Sequence, residues 1–182
     1  LAISLSVGLL AFTIVLVSHF ILFLYSKYLK RIPLVGNIIV AFLTGLVFIF
    51  GGVVVENPIA AIAPAVFAFL INLIREIVKD MEDVEGDSRA GVTTFPIRFG
   101  FKNSRLLIVI LTILLILFTF FPFITNLYRI EFFILVMVVV NPILVYCLKL
   151  LFENKSDKNL KKVSNLLKLD MIIGLIAIYL GV

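Results

Sequence analysis

Residues 75–96 read Arg-Glu-Ile-Val-Lys-Asp-Met-Glu-Asp-Val-Glu-Gly-Asp-Ser-Arg-Ala-Gly-Val-Thr-Thr-Phe-Pro. Six of the chain's 11 acidic residues, Glu76, Asp80, Glu82, Asp83, Glu85 and Asp87, fall in the 12 positions 76–87. On a continuous α-helix at about 100° per residue, Glu76, Asp80, Asp83 and Asp87 share a face within about 60° of one another, and Glu82 and Glu85 point the other way. Four carboxylates on one face repel one another unless a cation stands in front of them. Oxygen-only donors favour Mg2+ or Ca2+ over Zn2+, and Mg2+ commonly takes one or two carboxylates together with phosphate oxygens of a substrate. The spacing therefore points to a membrane-embedded site for a Mg2+-diphosphate. The competing explanation, that an acidic run is a solvated loop, is the commoner one for an arbitrary sequence. Three features weigh against it here: the shared face, the interleaved Arg75, Lys79 and Arg89, and the position at the end of an apolar run. Gly86 is a caution against a continuous helix, since a stop there would leave Asp87 to a loop.

The rest of the chain is the membrane context of that stretch. Of 182 residues 63% are hydrophobic, with 18 Phe and no Trp. An ordinary globular domain runs nearer about 45–50% apolar, so the composition is that of an integral membrane protein. The net charge of +5 is not a nucleic-acid signal, because the basic residues flank hydrophobic runs and report topology instead. The one cysteine, Cys147, excludes a disulfide framework. The chain opens directly in an apolar run with neither a Met nor a charged leader, and a start upstream of residue 1 is expected.

Six apolar segments, at about 1–26, 34–55, 58–78, 105–125, 130–152 and 166–182, are each long enough, or nearly so, to cross about 30 Å of hydrocarbon as a helix. The fold class expected is all-α, a polytopic membrane helix bundle with six transmembrane helices. Gly36, Gly45, Gly51 and Gly52 are the small residues that let membrane helices approach closely. If the helices alternate, the turns near 27–33, 75–105 and 149–168 lie on one side of the membrane. Those turns hold 15 of the 16 basic residues, and Arg129 alone falls on the other side. Such a bias makes the charged side cytoplasmic, and the acidic stretch with it. Residues 153–168 are expected to be a polar cytoplasmic loop, basic enough to rest on anionic headgroups.

The segment Arg75-Glu76-Ile-Val-Lys79-Asp80-Met-Glu-Asp83-Val-Glu-Gly86-Asp87, followed by Gly91-Val-Thr-Thr-Phe-Pro96, resembles the second Asp-rich motif of the UbiA superfamily of intramembrane prenyltransferases. Its wording is closest to the archaeal lipid-synthesis branch. Tyr25-Ser-Lys-Tyr-Leu-Lys30-Arg31, then Pro33-Leu-Val-Gly36-Asn37, resembles the Tyr/Lys element that the superfamily carries between its two Asp motifs. The superfamily has nine transmembrane helices and a first motif of the form Asn-Asp-x-x-Asp-x-x-x-Asp, which this chain lacks. The resemblance thus implies that residues 1–182 are a single prenyltransferase domain matching helices four to nine. The first three helices and the first Asp-rich motif then lie outside the chain.

What the resemblance implies is transfer of a prenyl group from its diphosphate donor to an acceptor, with Mg2+ bridging the diphosphate. In the lipid branch the donor is geranylgeranyl diphosphate, and the acceptor is the sn-2 hydroxyl of a lipid phosphate, geranylgeranylglyceryl phosphate. Asp80, Asp83 and Asp87 are then the metal and catalytic residues. Glu76 is placed against a metal-bound water or the acceptor. Lys30, Arg31, Lys79 and Arg89 are the cations available to phosphate groups, although Lys30 and Arg31 fit equally well as snorkelling positive-inside residues. Tyr25 orients the diphosphate or belongs to the interfacial aromatic belt. Asn72, one turn before Glu76, is a polar residue inside the bilayer, where burial is costly and tends to mark function. Asn37 is of the same kind, with an interhelical hydrogen bond as its alternative role. His19 reads as a packing group.

Other classes fit less well. CDP-alcohol phosphotransferases need Asp-Gly and Ala-Arg pairs and a downstream Asp pair; here Gly86 precedes Asp87 and Arg89 precedes Ala90. A cation channel or transporter predicts acids within several spans, and beyond the acidic stretch only Asp170, read as the start of the last helix, approaches that. Within the superfamily, an aromatic acceptor of the quinone-precursor type is the alternative to a lipid phosphate.

Overall fold

The computed structural model describes residues 2–153 and 157–182 and, among them, is all-α with no strand. In order, the helices are α1 (Ala2–Val7), α2 (Leu9–Lys27), α3 (Val35–Val54), α4 (Ile62–Glu82), α5 (Val84–Arg89), α6 (Phe95–Phe118), α7 (Phe121–Ile124), α8 (Ile130–Leu135), α9 (Asn141–Glu153) and α10 (Asp157–Gly181). A 3-10 turn covers Leu29–Arg31, and a π-helical turn, Val136–Val140, joins α8 to α9. The chain divides within α4 into two compact units, Leu1–Leu73 and Ile74–Val182.

Among the described residues, five helical segments are long and apolar enough to cross a membrane: Leu9–Lys27, Val35–Val54, Phe95–Ile124, Ile130–Glu153 and Lys158–Gly181. The chain is therefore a multi-pass membrane protein. The sixth expected span is α4, 21 residues long. Its last turns carry Arg75, Glu76, Lys79, Asp80 and Glu82, which interrupt the apolar run, while Leu73, Ile74, Ile77, Val78 and Met81 on the same turns are buried, so its second half is amphipathic.

In the first unit the close approaches are made by glycine. A Cβ on Gly45 of α3 would lie 2.8 Å from the Ala65 carbonyl oxygen of α4, and one on Gly52 would lie 2.5 Å from Ala61 Cβ. Lipid tails are as apolar as leucine, so contact of this kind, and not hydrophobic transfer, holds membrane helices together. The same pair is tied by Asn72 Nδ2, which donates to Thr44 Oγ1 at 2.9 Å. Asn72 is 5% exposed, and this interhelical bond accounts for the burial of its amide. Between α2 and α3 the chain turns tightly, with Leu34 at φ 67°, a left-handed conformation uncommon for a branched side chain.

In the second unit, Phe132, Ile108, Leu144, Val163 and Leu167 are fully buried. The Arg129 backbone N–H donates to the Gly181 carbonyl at 2.8 Å, and a Cβ at Gly181 would lie 2.5 Å from Phe132 Cβ, so the end of α10 is seated against the start of α8. Asn141 Nδ2 donates to Thr119 Oγ1 at 3.2 Å, joining the end of α6 to the first residue of α9. α6 is kinked at Gly100, whose φ of 81° suits only glycine.

Two sequence-based expectations are corrected. Residues 153–168 are not a loop: Glu153 ends α9 and 157–168 form the first half of α10, while 154–156 lie outside the described residues. The helix after Arg75 does not stop at Gly86. It breaks at Asp83 (φ −108°, ψ 23°), and Gly86 lies inside α5.

Candidate active site

The acidic stretch is built by α4, a one-residue break and α5. The hydrogen-bond ladder nevertheless runs through the break: Asp83 N–H donates to the Lys79 carbonyl at 3.0 Å, and Asp87 N–H to the Asp83 carbonyl at 2.9 Å. The i to i+4 relation that places Asp83 and Asp87 on neighbouring turns is thereby kept. Asp83 occupies the N-cap position of α5 but its carboxylate makes no capping bond. It lies over Gly86 instead, where a Cβ would collide with Asp83 Oδ1. The glycine clears the space that the carboxylate occupies.

α5 ends in a Schellman arrangement. Val92 N–H reaches the Asp87 carbonyl at 2.9 Å, and Gly91 N–H the Ser88 carbonyl at 3.2 Å, with Gly91 at φ 67°. Thr94 then holds the N-cap position of α6 in an extended conformation, without a side-chain capping bond, and Pro96 sits in the first turn, where a missing N–H costs nothing. The run Gly91-Val-Thr-Thr-Phe-Pro96 is thus a stop signal followed by a start signal, and it fixes where Asp87 stands.

The electrostatics at Asp87 combine burial with a neighbouring like charge. Burial pushes the Asp87 carboxyl above the ordinary carboxylate range, the charge of Asp83 pushes it further, and Lys79 opposes both. Asp83 and Lys79 are exposed, Asp80 and Asp87 half-buried. Glu76 accepts a hydrogen bond from Arg75 Nη1 at 2.8 Å, so these two neutralise one another, and Arg75 Nε is buried without a partner. Arg89 pairs with Glu85 at 3.4 Å, but both side chains are exposed and such a pair is worth little.

In the first unit, Tyr25 and Lys30 converge on one glycine: a Cβ on Gly36 would lie 3.5 Å from the Tyr25 ring and 3.5 Å from Lys30 Cα. Tyr25 and Asn37 are half-buried, and Lys30 and Arg31 are exposed in the 3-10 turn. An apolar pocket of about 410 Å3 lies in the same unit, lined by Ile21, Leu24, Leu29, Ile38, Ile39, Phe42 and Phe69.

Among the described residues, no three His, Cys, Asp or Glu side chains converge closely enough to hold a metal ion. Two carboxylates on neighbouring turns, one raised by burial and by the charge of the other, fit a cation shared with substrate phosphate oxygens and do not fit a closed protein cage. One residue escaped the sequence reasoning. Asp170 does not start the last helix; it lies in the middle of α10, is 0% exposed, and neither carboxylate oxygen has a hydrogen-bond partner. An acid within an apolar run was its visible signal.

Residues 1–171 match the description of the UbiA prenyltransferase family. The chain is similar to digeranylgeranylglyceryl phosphate synthase of Methanosphaera stadtmanae, 34% identical over 168 residues, covering 92% of this chain and 61% of that protein. It is likewise similar to the synthases of that name from Methanocaldococcus jannaschii (37% identical, 88% of this chain, 56% of the relative) and Methanobrevibacter smithii (39%, 93% and 60%). A solved structure from work on digeranylgeranylglyceryl phosphate synthase in membranes superposes with a TM-score of 0.89 at 34% identity, covering 99% of this chain and 64% of that one. The chain thus spans about three fifths of the length of the relatives it matches. A match over residues 1–171, with relatives above 30% identity, leaves one assignment: the chain belongs to the UbiA prenyltransferase family.

Proposed function

We propose that this chain carries the second acidic half of a membrane prenyltransferase that moves a geranylgeranyl group from its diphosphate to the sn-2 hydroxyl of geranylgeranylglyceryl phosphate, in archaeal ether-lipid synthesis. The observation that carries this reading is the succession of Asp83 and Asp87 on neighbouring turns at the end of α4, with the charge of Asp83 raising Asp87 and that of Lys79 opposing it. The names of the relatives support the lipid-phosphate acceptor over an aromatic one. Asp80, Asp83 and Asp87 would hold Mg2+ together with the donor diphosphate. Bound there, the metal would neutralise charge growing on the diphosphate as the allylic C–O bond breaks. Lys79 stands beside the carboxylates and limits their repulsion before substrate arrives. Arg89, held only by an exposed pair, is available to a phosphate group. Tyr25 and Lys30, in the first unit, are proposed as further contacts to an anionic ligand.

The acceptor is tested kinetically. A lipid-phosphate enzyme binds two anionic groups, and losing one partner of a charge-assisted phosphate contact costs about 2–5 kcal/mol. At least one of Lys30→Ala, Arg31→Ala and Arg89→Ala is therefore expected to raise KM for geranylgeranylglyceryl phosphate by about tenfold or more, with KM for geranylgeranyl diphosphate within about threefold. Equal shifts in both constants would assign these residues to the donor alone. A wild-type preference for a hydroxybenzoate or naphthoate acceptor would refute the lipid assignment.

The basic bias of the segments that flank the spans supports a cytoplasmic side of the cell membrane for the acidic stretch. With Cys147 removed as background, a Ser88→Cys variant is expected to react with an impermeant thiol reagent only from that side. Ser88 is exposed, so its replacement leaves packing untouched, and Cys147, which is buried, is replaced by the similarly small Ala or Ser. Labelling from the outer side would reverse the orientation.

A further inference from the structure

The first half of α10 is an amphipathic stem, not a loop. Leu160, Val163, Ser164 and Leu167 are buried along one side, while Lys158, Lys161, Lys162 and Lys168 are exposed along the other. None of these four lysines forms an ion pair with a described acidic side chain, whereas Lys149 of α9 pairs with Glu153 at 3.4 Å. Two of the four make a side-chain hydrogen bond: Lys168 Nζ to Asn165 Oδ1 of its own helix, at 3.4 Å, and Lys162 to a neighbouring helix. Lys162 Nζ donates to Tyr146 Oη of α9 at 3.0 Å and lies 5.3 Å from the centre of that ring. Both side chains are exposed, so burial does not impose the contact.

The chemistry of the pair is specific. The ammonium gives one N–H to the phenol and keeps two, and the phenol accepts that bond while its own O–H remains to donate. Two or three donors, one of them cationic, thus converge on a spot that holds no described carboxylate. Tyr146 stands one turn before Lys149, where the apolar run of α9 ends. That is the level at which tyrosines line the membrane–water interface and lipid phosphates lie. We propose that Tyr146 and Lys162 form a binding site for the phosphate of an anionic phospholipid headgroup, with Lys158, Lys161 and Lys168 extending its positive field along α10. The site is independent of the reaction proposed above and uses none of its residues. Its role is to hold a lipid of the surrounding bilayer against the outer side of α9 and α10. Free inorganic phosphate has the same donor requirements, and the interfacial level of Tyr146 favours the lipid.

The test uses the complete protein in phosphatidylcholine nanodiscs doped with spin-labelled phosphatidylglycerol or spin-labelled phosphatidylcholine. The motionally restricted fraction of each label is read. The wild type is expected to restrict the anionic label preferentially. Lys162→Gln should lower that preference by about fivefold, the worth of one lysine near an anionic surface. Tyr146→Phe, which removes only the hydroxyl, should lower it by about threefold, as expected for one lost hydrogen bond. Lys162→Arg should restore most of the preference, and excess inorganic phosphate should leave the lipid in place. Unchanged preference in both Lys162→Gln and Tyr146→Phe would overturn the site. Displacement of the labelled lipid by inorganic phosphate would overturn its assignment to lipid.

Discussion

Asp83→Ala in the complete protein is expected to lower turnover by about a hundredfold or more, the scale of losing one electrostatic contact to charge developing in a transition state. The same change should move folding stability by less than about 0.5 kcal/mol, as for a surface position. The two expectations come from one geometry. Asp83 is exposed, makes no capping bond to α5, and adds to the repulsion that raises Asp87. Its removal takes nothing from the fold and relieves a neighbour. One of the two causes holding Asp87 up is lost while Lys79 stays, so Asp87 should give up its proton at a lower pH in the variant. Thermal unfolding in detergent, turnover with geranylgeranyl diphosphate, and the titration of Asp87 read the three effects separately. Turnover within about tenfold of wild type would remove Asp83 from the site, since a carboxylate that holds substrate-bound metal is not so easily spared.

The same stretch shows how far sequence carries. The pairing of Asp83 with Asp87 was legible because a four-residue spacing survives any backbone that keeps its i to i+4 bonds, and both bonds are present. The break at Asp83 was not legible. Glycine in a helical run reads as a stop, but Gly86 serves instead to clear space for a side chain three residues earlier, and that follows only from coordinates. Hydropathy found the spans because a bilayer imposes length and apolarity together. It counted α4 as a sixth because its first half is mostly apolar, whereas its second half is amphipathic, with Ile74, Ile77, Val78 and Met81 buried and charges set between them. The first half of α10 was misread for the opposite reason. Its lysines looked like a solvated loop, yet Leu160, Val163 and Leu167 recur at helical spacing and are buried. Asn72 was legible as a costly buried amide but not its partner, since nothing in the sequence pairs position 72 with Thr44.

Asp170 carries the other large effect. Replacing it with valine is expected to stabilise the protein by about 1–3 kcal/mol, because an unpartnered buried polar group exacts its desolvation cost and an apolar group does not. The carboxyl is 0% exposed in the middle of α10, with no hydrogen bond to either oxygen. Along α10 it stands between Val163 and Leu167 on one side and Ala177 on the other, all buried. The titratable group close enough to feel its charge is the Cys147 thiol of α9, itself 3% exposed and a weak donor. Asp170→Asn keeps the shape and most of the polarity, so a smaller change is expected from it, which separates the cost of polarity from any effect of volume. Thermal unfolding of both variants in detergent gives the comparison. If both lose more than about 1 kcal/mol, the carboxyl has a partner that stabilises the fold, and the premise is wrong. If the valine variant gains stability and loses turnover, the carboxyl is kept at the expense of stability for the reaction, as rule-breaking residues at functional sites generally are.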